Sequence, residues 1–383
     1  YDVHDLVREF LTRSMDDSLS QILHANAVEW YRTRRETPSQ SIEYIHHLHM
    51  SGDTEGLAAA LSEEGHALVN SGHIELLGIL RSLEVSNFGP RTSFVIHELR
   101  GDILSIQGKW EQAVEEYDLA MPLALKHKMT SPLARLLSSR ADLAVKRGQM
   151  DEALSLHRKA LEIQISVRDA LGAARSYNNM GFIFRRQRDN KKALEVYGNV
   201  EDLLGAEDSP DLTEARIRLA SAFLEMGEMD RARDHAMIAH DETEENEQVR
   251  LHARSRAVLG RYYAKIKDND LAMHHYSGAL EILSDQSDPH SAVEVEMLLG
   301  QVLSDAGRSE EAAEHYLDGL ALAEANDFRM MQGEILSRLG EVESNRSQRM
   351  DYLQRSLVVF RELGAVHRMR DVQNAVHKVV MGH

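Results

Sequence analysis

A beat of about forty residues runs through most of this sequence and constrains the fold more than any other feature. A small residue is followed twelve positions later by Ala at Gly101/Ala113, Ala141/Ala153, Gly181/Ala193, Ala220/Ala232, Gly260/Ala272 and Gly300/Ala312. The first members step by 40, 40, 39, 40 and 40 residues. Four places after each Ala stands Tyr117, His157, Tyr197, Ala236, Tyr276 or Tyr316, and three further on Ala120, Ala160, Val200, Ala239, Ala279 or Gly319. Between the two halves the spacing predicts a turn, at Gly108, Gly148, Gly227 and Gly307, with Arg188 or Lys267 elsewhere. Two amphipathic helices meet at such a turn, small side chains let their backbones approach, and the aromatic fills the wedge toward the next hairpin. One hairpin cannot bury its apolar face alone, so the hairpins must stack.

Composition agrees and narrows the class. Six Pro and 5% aromatics accompany abundant Ala, Leu, Glu and Arg, with no alternating β-branched run long enough for a sheet. The chain has no Cys, which excludes a disulfide scaffold and thiol catalysis and suits a cytoplasmic setting. Apolar runs such as Leu76–Leu80 are far shorter than the roughly 18 residues of a membrane span. A net charge of −18 opposes direct binding of nucleic acid or an anionic membrane.

The skeleton resembles the tetratricopeptide repeat, whose period is about 34 residues. The extra residues imply longer helices and linkers, as in kinesin-light-chain repeats and bacterial signal-sensing regulators. The resemblance implies an all-α superhelix of helical hairpins, with about seven repeats over residues 91–363. The seventh, at Gly340, is degenerate: its second helix arrives early and Arg349 stands where Ala is expected. Residues 364–383 read as a capping helix, since terminal repeats of a solenoid are atypical. Residues 18–90 read as an irregular helical arm with turns at Gly52 and Gly72.

The opening stretch, YDVHDLVREFL, is amphipathic from its third residue. With the arm and array behind it, Val3-His4-Asp5 resembles the Met-His-Asp motif at the end of the winged-helix domain in signal-transduction ATPases with numerous domains, the group of the maltose-regulon activator. Val replaces Met here, and AVEWY and HLHMSGD are similar to the helices that follow that domain in maltose-activator-type regulators. The resemblance implies that residues 1–17 complete a winged-helix domain and that the chain begins just inside it. It also implies that His4 contacts bound ADP in a longer parent using ADP and ATP. The sequence itself carries no G-x-x-x-x-G-K-[ST], G-x-S-x-G or H-E-x-x-H, so no enzyme and no cofactor are expected of this chain.

The 20 His include the clusters His46, His47, His49 and His274, His275. Neighbouring His on one helix point to different faces and no Cys completes a ligand set, so they read as structural, with no metal site. Trp30 and Trp110 read as packing aromatics.

One constellation runs against the acidic trend. In tetratricopeptide proteins the first helix of each hairpin lines the concave groove. Those positions here hold Arg135, Asp142, Arg175, Asn178, Asn179, Phe182, Arg185, Arg186, Arg218, Arg254 and Arg261. Asn can bond a main-chain amide as donor and acceptor, and Arg can clamp a carboxylate or phosphate. Arg135, Arg175, Asn178, Asn179, Phe182, Arg185, Arg254 and Arg261 are therefore the candidate ligand groove. Pairing of the same Arg with acids of adjacent repeats is the competing reading. The expected function is an autoinhibitory sensor region of a signal-transduction ATPase, binding an inducer protein, peptide or small anionic ligand and acting on its own ATPase domain. The alternative is a free-standing scaffold that binds a partner's peptide.

Overall fold

In the computed structural model the described residues are 16–205, 209–246, 248–284 and 288–381. They contain nineteen α-helices and no strand. The chain forms two compact units, Tyr1–Ser176 and Tyr177–His383. Val3-His4-Asp5 lies outside the described residues.

The first unit opens with α1 (Asp17–Arg32), α2 (Pro38–Ser51), α3 (Thr54–Asn70) and α4 (Leu76–Ser82). Thr37 caps α2 with a reciprocal box: its hydroxyl accepts from the Gln40 amide while the Gln40 side chain accepts from the Thr37 amide. Regular hairpins follow in α5 (Pro90–Ile106), α6 (Trp110–Lys126), α7 (Thr130–Lys146) and α8 (Met150–Ser166). Each of these four has 17 residues, and three-residue connections complete the forty-residue period. Its extra length over the shorter family period therefore lies in the helices, not in long linkers. The arm shares one core with these hairpins, continuous from Val28 and Tyr44 through Leu61 and Phe94 to Tyr117 and Leu143. Trp110 packs against that core. Trp30 departs from expectation: it is 51% exposed, with the Arg34 guanidinium 5.0 Å over its ring.

The boundary between the units falls within α9 (Ala170–Arg186). The second unit continues with α10 (Asn190–Leu204), α11 (Pro210–Met226), α12 (Met229–Glu245), α13 (Val249–Lys265), α14 (Asn269–Ser284), α15 (Pro289–Asp305) and α16 (Ser309–Ala325). It ends with α17 (Arg329–Val342), α18 (Arg346–Glu362) and α19 (Val366–Met381). In the degenerate hairpin Arg349 donates to the Gly340 carbonyl at 2.8 Å, and α19 lays Val372 and Val379 against Leu353 and Phe360.

The small residue and the aromatic sixteen positions on are one packing unit. A Cβ added to Gly101 would lie 2.3 Å from Tyr117, and one added to Gly181 would lie 2.3 Å from Tyr197. Gly260/Tyr276 and Gly300/Tyr316 repeat the contact. Where the ring gives way to His157 or Ala236, the small residue is Ala141 or Ala220. The turns also fall where the spacing places them. Gly108, Gly148, Gly227 and Gly307 take positive φ, and so do Arg188 (61°) and Lys267 (63°).

Candidate functional site

The residue after the small one faces the same side of successive first helices. In the second unit these residues are Phe182, Ser221 and Arg261, and all three line one cleft of about 380 Å³. Arg185, Arg186, Arg218, Arg254 and Glu294 share its wall, over a floor that includes Ile217, Val258, Val295 and Leu298. The Arg218 and Arg186 guanidiniums lie 5.4 and 5.7 Å from the Phe182 ring centre, within cation–π range.

The charges are arranged in layers. Arg218 and Arg254 both donate to the Glu214 carboxylate. Burial works against ionisation of Glu214, but the two guanidiniums outweigh it and hold the carboxyl below its ordinary value. Arg185 donates to Glu225, and Arg261 stands 3.9 Å from the same carboxylate. Arg185 Nε is buried with no hydrogen-bond partner among the described residues. Five guanidiniums thus meet three carboxylates, Glu214, Glu225 and Glu294, around one cleft. The local balance is positive on a chain of net charge −18.

The structure brings together four of the expected groove residues, Phe182, Arg185, Arg254 and Arg261, with Arg186 and Arg218 from the same helical faces. Others depart from the expectation. Arg135 belongs to the first unit and is engaged internally, donating to both Glu98 oxygens at 2.8 and 2.7 Å. Glu98 is fully buried, so this is a structural pair, as the competing reading held. Arg175 is exposed in the first unit. Asn178 is 3% exposed and donates to the Asp211 carbonyl at 2.9 Å; the main-chain bond foreseen for a peptide is made to its own chain. Asn179 is half-buried and does not line the cleft.

Two features were not assigned to particular residues from the sequence. The acidic partners have a signal in hindsight, since Glu214 and Arg254, like Arg185 and Glu225, are separated by 40 residues. Opposite charges one period apart are neighbours in a stack of hairpins. The second is a buried acidic cluster in the first unit. Asp102 lies beside Glu98 and accepts from the Tyr117 hydroxyl at 2.7 Å. Burial, and then the Glu98 charge, push its pKa up to about 6.

Residues 132–204 match the family model described as tetratricopeptide repeat. Among solved structures, the chain is similar to a signal transduction ATPase with numerous domains that carries a tetratricopeptide repeat sensor, from Pyrococcus horikoshii. Identity is 13% and the TM-score 0.66, covering 96% of this chain and 57% of that one. A Rap protein complexed with competence and sporulation factor aligns at 12% identity and TM-score 0.54, over 90% of this chain and 98% of that one. Aspartyl phosphate phosphatase F from Bacillus subtilis aligns at 14% and 0.52, over 94% of both chains. No match was found among curated proteins. At these identities the likeness concerns the fold: an all-α helical repeat of tetratricopeptide type. Among the described residues no helix is long and apolar enough to cross a membrane.

Proposed function

We propose that this chain is the ligand-sensing region of a signal-transduction ATPase, and that its second unit receives an acidic ligand in the arginine-lined cleft. The convergence of Arg185, Arg186, Arg218, Arg254 and Arg261 around Phe182 carries the reading. Arg218 and Arg254 are held by Glu214, which fixes their direction, while Arg186 is exposed and Arg261 stands 3.9 Å from Glu225. An extended peptide with carboxylate side chains suits the cleft: its charges meet guanidinium N–H donors and its apolar groups meet Ile217, Val295 and Leu298. A protein segment or a small anion of the same chemistry would use the same donors.

The ATPase parent rests on the resemblance of Val3-His4-Asp5 and is supported by the likeness to a sensor-bearing ATPase. His4 would there donate to a phosphate of ADP and favour the resting state. Signal binding acts by population shift: the ligand must prefer the open parent over the closed one, or nothing moves. A P-loop in the coding sequence upstream of Tyr1 separates this reading from a free-standing scaffold.

The cleft is tested with a fluorescein-labelled acidic decapeptide and its neutral Gln/Asn counterpart at fixed ionic strength. Charge-assisted contacts contribute about 1.5–3 kcal/mol each, so Arg261→Ala and Arg186→Ala should each weaken the acidic peptide about tenfold, with helicity unchanged. Equal binding of both peptides, or variants that bind the acidic peptide as tightly as the unaltered chain, would remove the site.

A further inference from the structure

The histidines of the arm are brought together in a way their sequence positions conceal. His46 and His47 are neighbours on α2, and α1 places His24 between them. His24 Nδ1 and His47 Nδ1 are 2.7 Å apart. The His24 ring centre lies 4.9 Å from that of His47 and 5.8 Å from that of His46. One ring nitrogen from each of the three lies within 4.8 Å of the others. All three side chains are half-buried, and Tyr31 stacks on the far side of His47 at 5.7 Å.

We propose that His24, His46 and His47 form a binding site for a divalent transition-metal ion of the zinc type. Two imidazole nitrogens facing each other at 2.7 Å present lone pairs to one point in space, and something positive must occupy it. In the metal-free chain that is a single proton, carried by one ring and accepted by the other. A metal ion can replace it. Imidazole suits Zn²⁺, Cu²⁺ and Ni²⁺, and Zn–N bonds of about 2.0–2.1 Å set two ligands of a tetrahedral ion roughly 3.3 Å apart. The Nδ1 pair therefore has to open by about half an ångström, a small rotation of two side chains.

A second feature points the same way. Glu43 lies one turn before His47 and places Oε2 3.8 Å from His47 Nε2, on the side of the ring opposite Nδ1. Metal-bound imidazoles commonly donate their other N–H to a carboxylate, which fixes the ring and raises its basicity. Three protein ligands leave a fourth position for water or another donor. The bound ion would tie α1 to α2, making the seat of the first described helix metal-dependent.

The test uses the whole 383-residue chain, stripped of metal and titrated with Zn²⁺ against a chelating dye, with Co²⁺ absorption reporting geometry. One equivalent should bind with a tetrahedral Co²⁺ spectrum, and His24→Ala should weaken it at least tenfold, while His274→Ala should not. Because His24→Ala could disturb the packing of α1, footprinting of the unaltered chain with diethyl pyrocarbonate supplies an independent readout. Zn²⁺ should protect His24, His46 and His47, leaving His274 unchanged. Unchanged affinity in His24→Ala, absence of the stoichiometric equivalent, or protection spread evenly over the histidines would overturn the site.

Discussion

The regular hairpins of the two units follow one pattern and contrast at the residue after the small one. In the first unit the residue after the small one is acidic, Asp102 and Asp142. Both are answered from within: the Tyr117 hydroxyl donates to Asp102 at 2.7 Å, and His157 Nε2 stands 3.5 Å from Asp142. In the second unit the same column reads Phe182, Ser221, Arg261 and Gln301. With Phe182 in the place of an acid, the Tyr197 hydroxyl meets no carboxylate among the described residues; it lies beside the Arg218 guanidinium without a well-aligned hydrogen bond. Three of these residues line the cleft instead. Packing fixes the hairpins, and this column differs between the self-contained edges of the first unit and the cleft of the second.

The acids of these first helices, at different positions of the repeat, add a second contrast. Glu98 is followed four residues on by another acid, Asp102, whereas Glu214 is followed four on by Arg218. Asp102 beside Glu98 holds its proton to a higher pH than usual, and Glu214 between two guanidiniums releases its proton at a lower one. The largest effect should therefore come from Glu214→Gln. Glu214 and Arg218 are only 14% and 18% exposed, and breaking a mostly buried pair costs about 2–4 kcal/mol because it strands the remaining charges. Chemical denaturation followed by circular dichroism should show the loss in the second unit. The acidic decapeptide should at the same time bind more tightly, since Arg218 and Arg254 lose their internal counter-charge. Lower stability with weaker peptide binding would mean that Glu214 shapes the cleft rather than masking it.

The next effect lies in the first unit and depends on pH. The folded pKa of Asp102, about 6, stands above its ordinary 3.8, so between those values the folded chain holds a proton that the unfolded chain has released. Its contribution to stability is complete below about pH 4 and is lost as pH rises through 6. Asp102→Asn removes the titration while keeping an oxygen for Tyr117. The variant should gain on the order of 2 kcal/mol relative to the unaltered chain between pH 4 and pH 7. A constant difference across that range would show that His66 and Arg135 already neutralise the site.

Much of this was legible, for reasons that can be named. The small residue, Ala and aromatic columns are visible because close packing tolerates few side chains there, as the 2.3 Å approach at Gly101 shows. Turn positions were legible even without glycine, since the period alone places Arg188 and Lys267 at positive φ. The groove was only half legible. Periodicity identifies the face of a helix but not the depth of each position on it: Arg254, six before its small residue, is on the cleft wall, whereas Asn178, three before its own, is buried. The approach of His24 to His46 and His47 was not legible, because it depends on how two irregular helices of the arm cross.

A smaller effect should come from the tyrosine column itself. Tyr117→Phe removes the donor to a buried carboxylate and should cost about 1–2 kcal/mol. Tyr197→Phe removes a hydroxyl that lies beside Arg218 without a well-aligned hydrogen bond, and should cost less than Tyr117→Phe, because a poorly paired buried polar group contributes little. Parallel denaturation curves measure the difference directly. Equal losses would show that the Tyr197 hydroxyl bonds to Arg218 in solution, and the two units would then be more alike at this column than their side chains suggest.

The smallest effect tests the part the units share. Lys267 holds φ at 63° in the connection between α13 and α14, where Gly307 serves the same role one repeat later at 77°. A side chain in this left-handed region carries a steric cost that glycine does not, of about 1 kcal/mol. Glycine in turn gives the unfolded chain more freedom, which offsets about 0.5–1 kcal/mol of that gain. Lys267→Gly should therefore raise stability by no more than about 0.5 kcal/mol, a shift in melting temperature on the order of 1 °C. Gly307→Lys should lose a similar amount, and neither change should alter decapeptide affinity, since neither residue lines the cleft. A change in affinity from a turn substitution would show that the hairpin angle, and not the side-chain column alone, sets how the second unit meets its ligand.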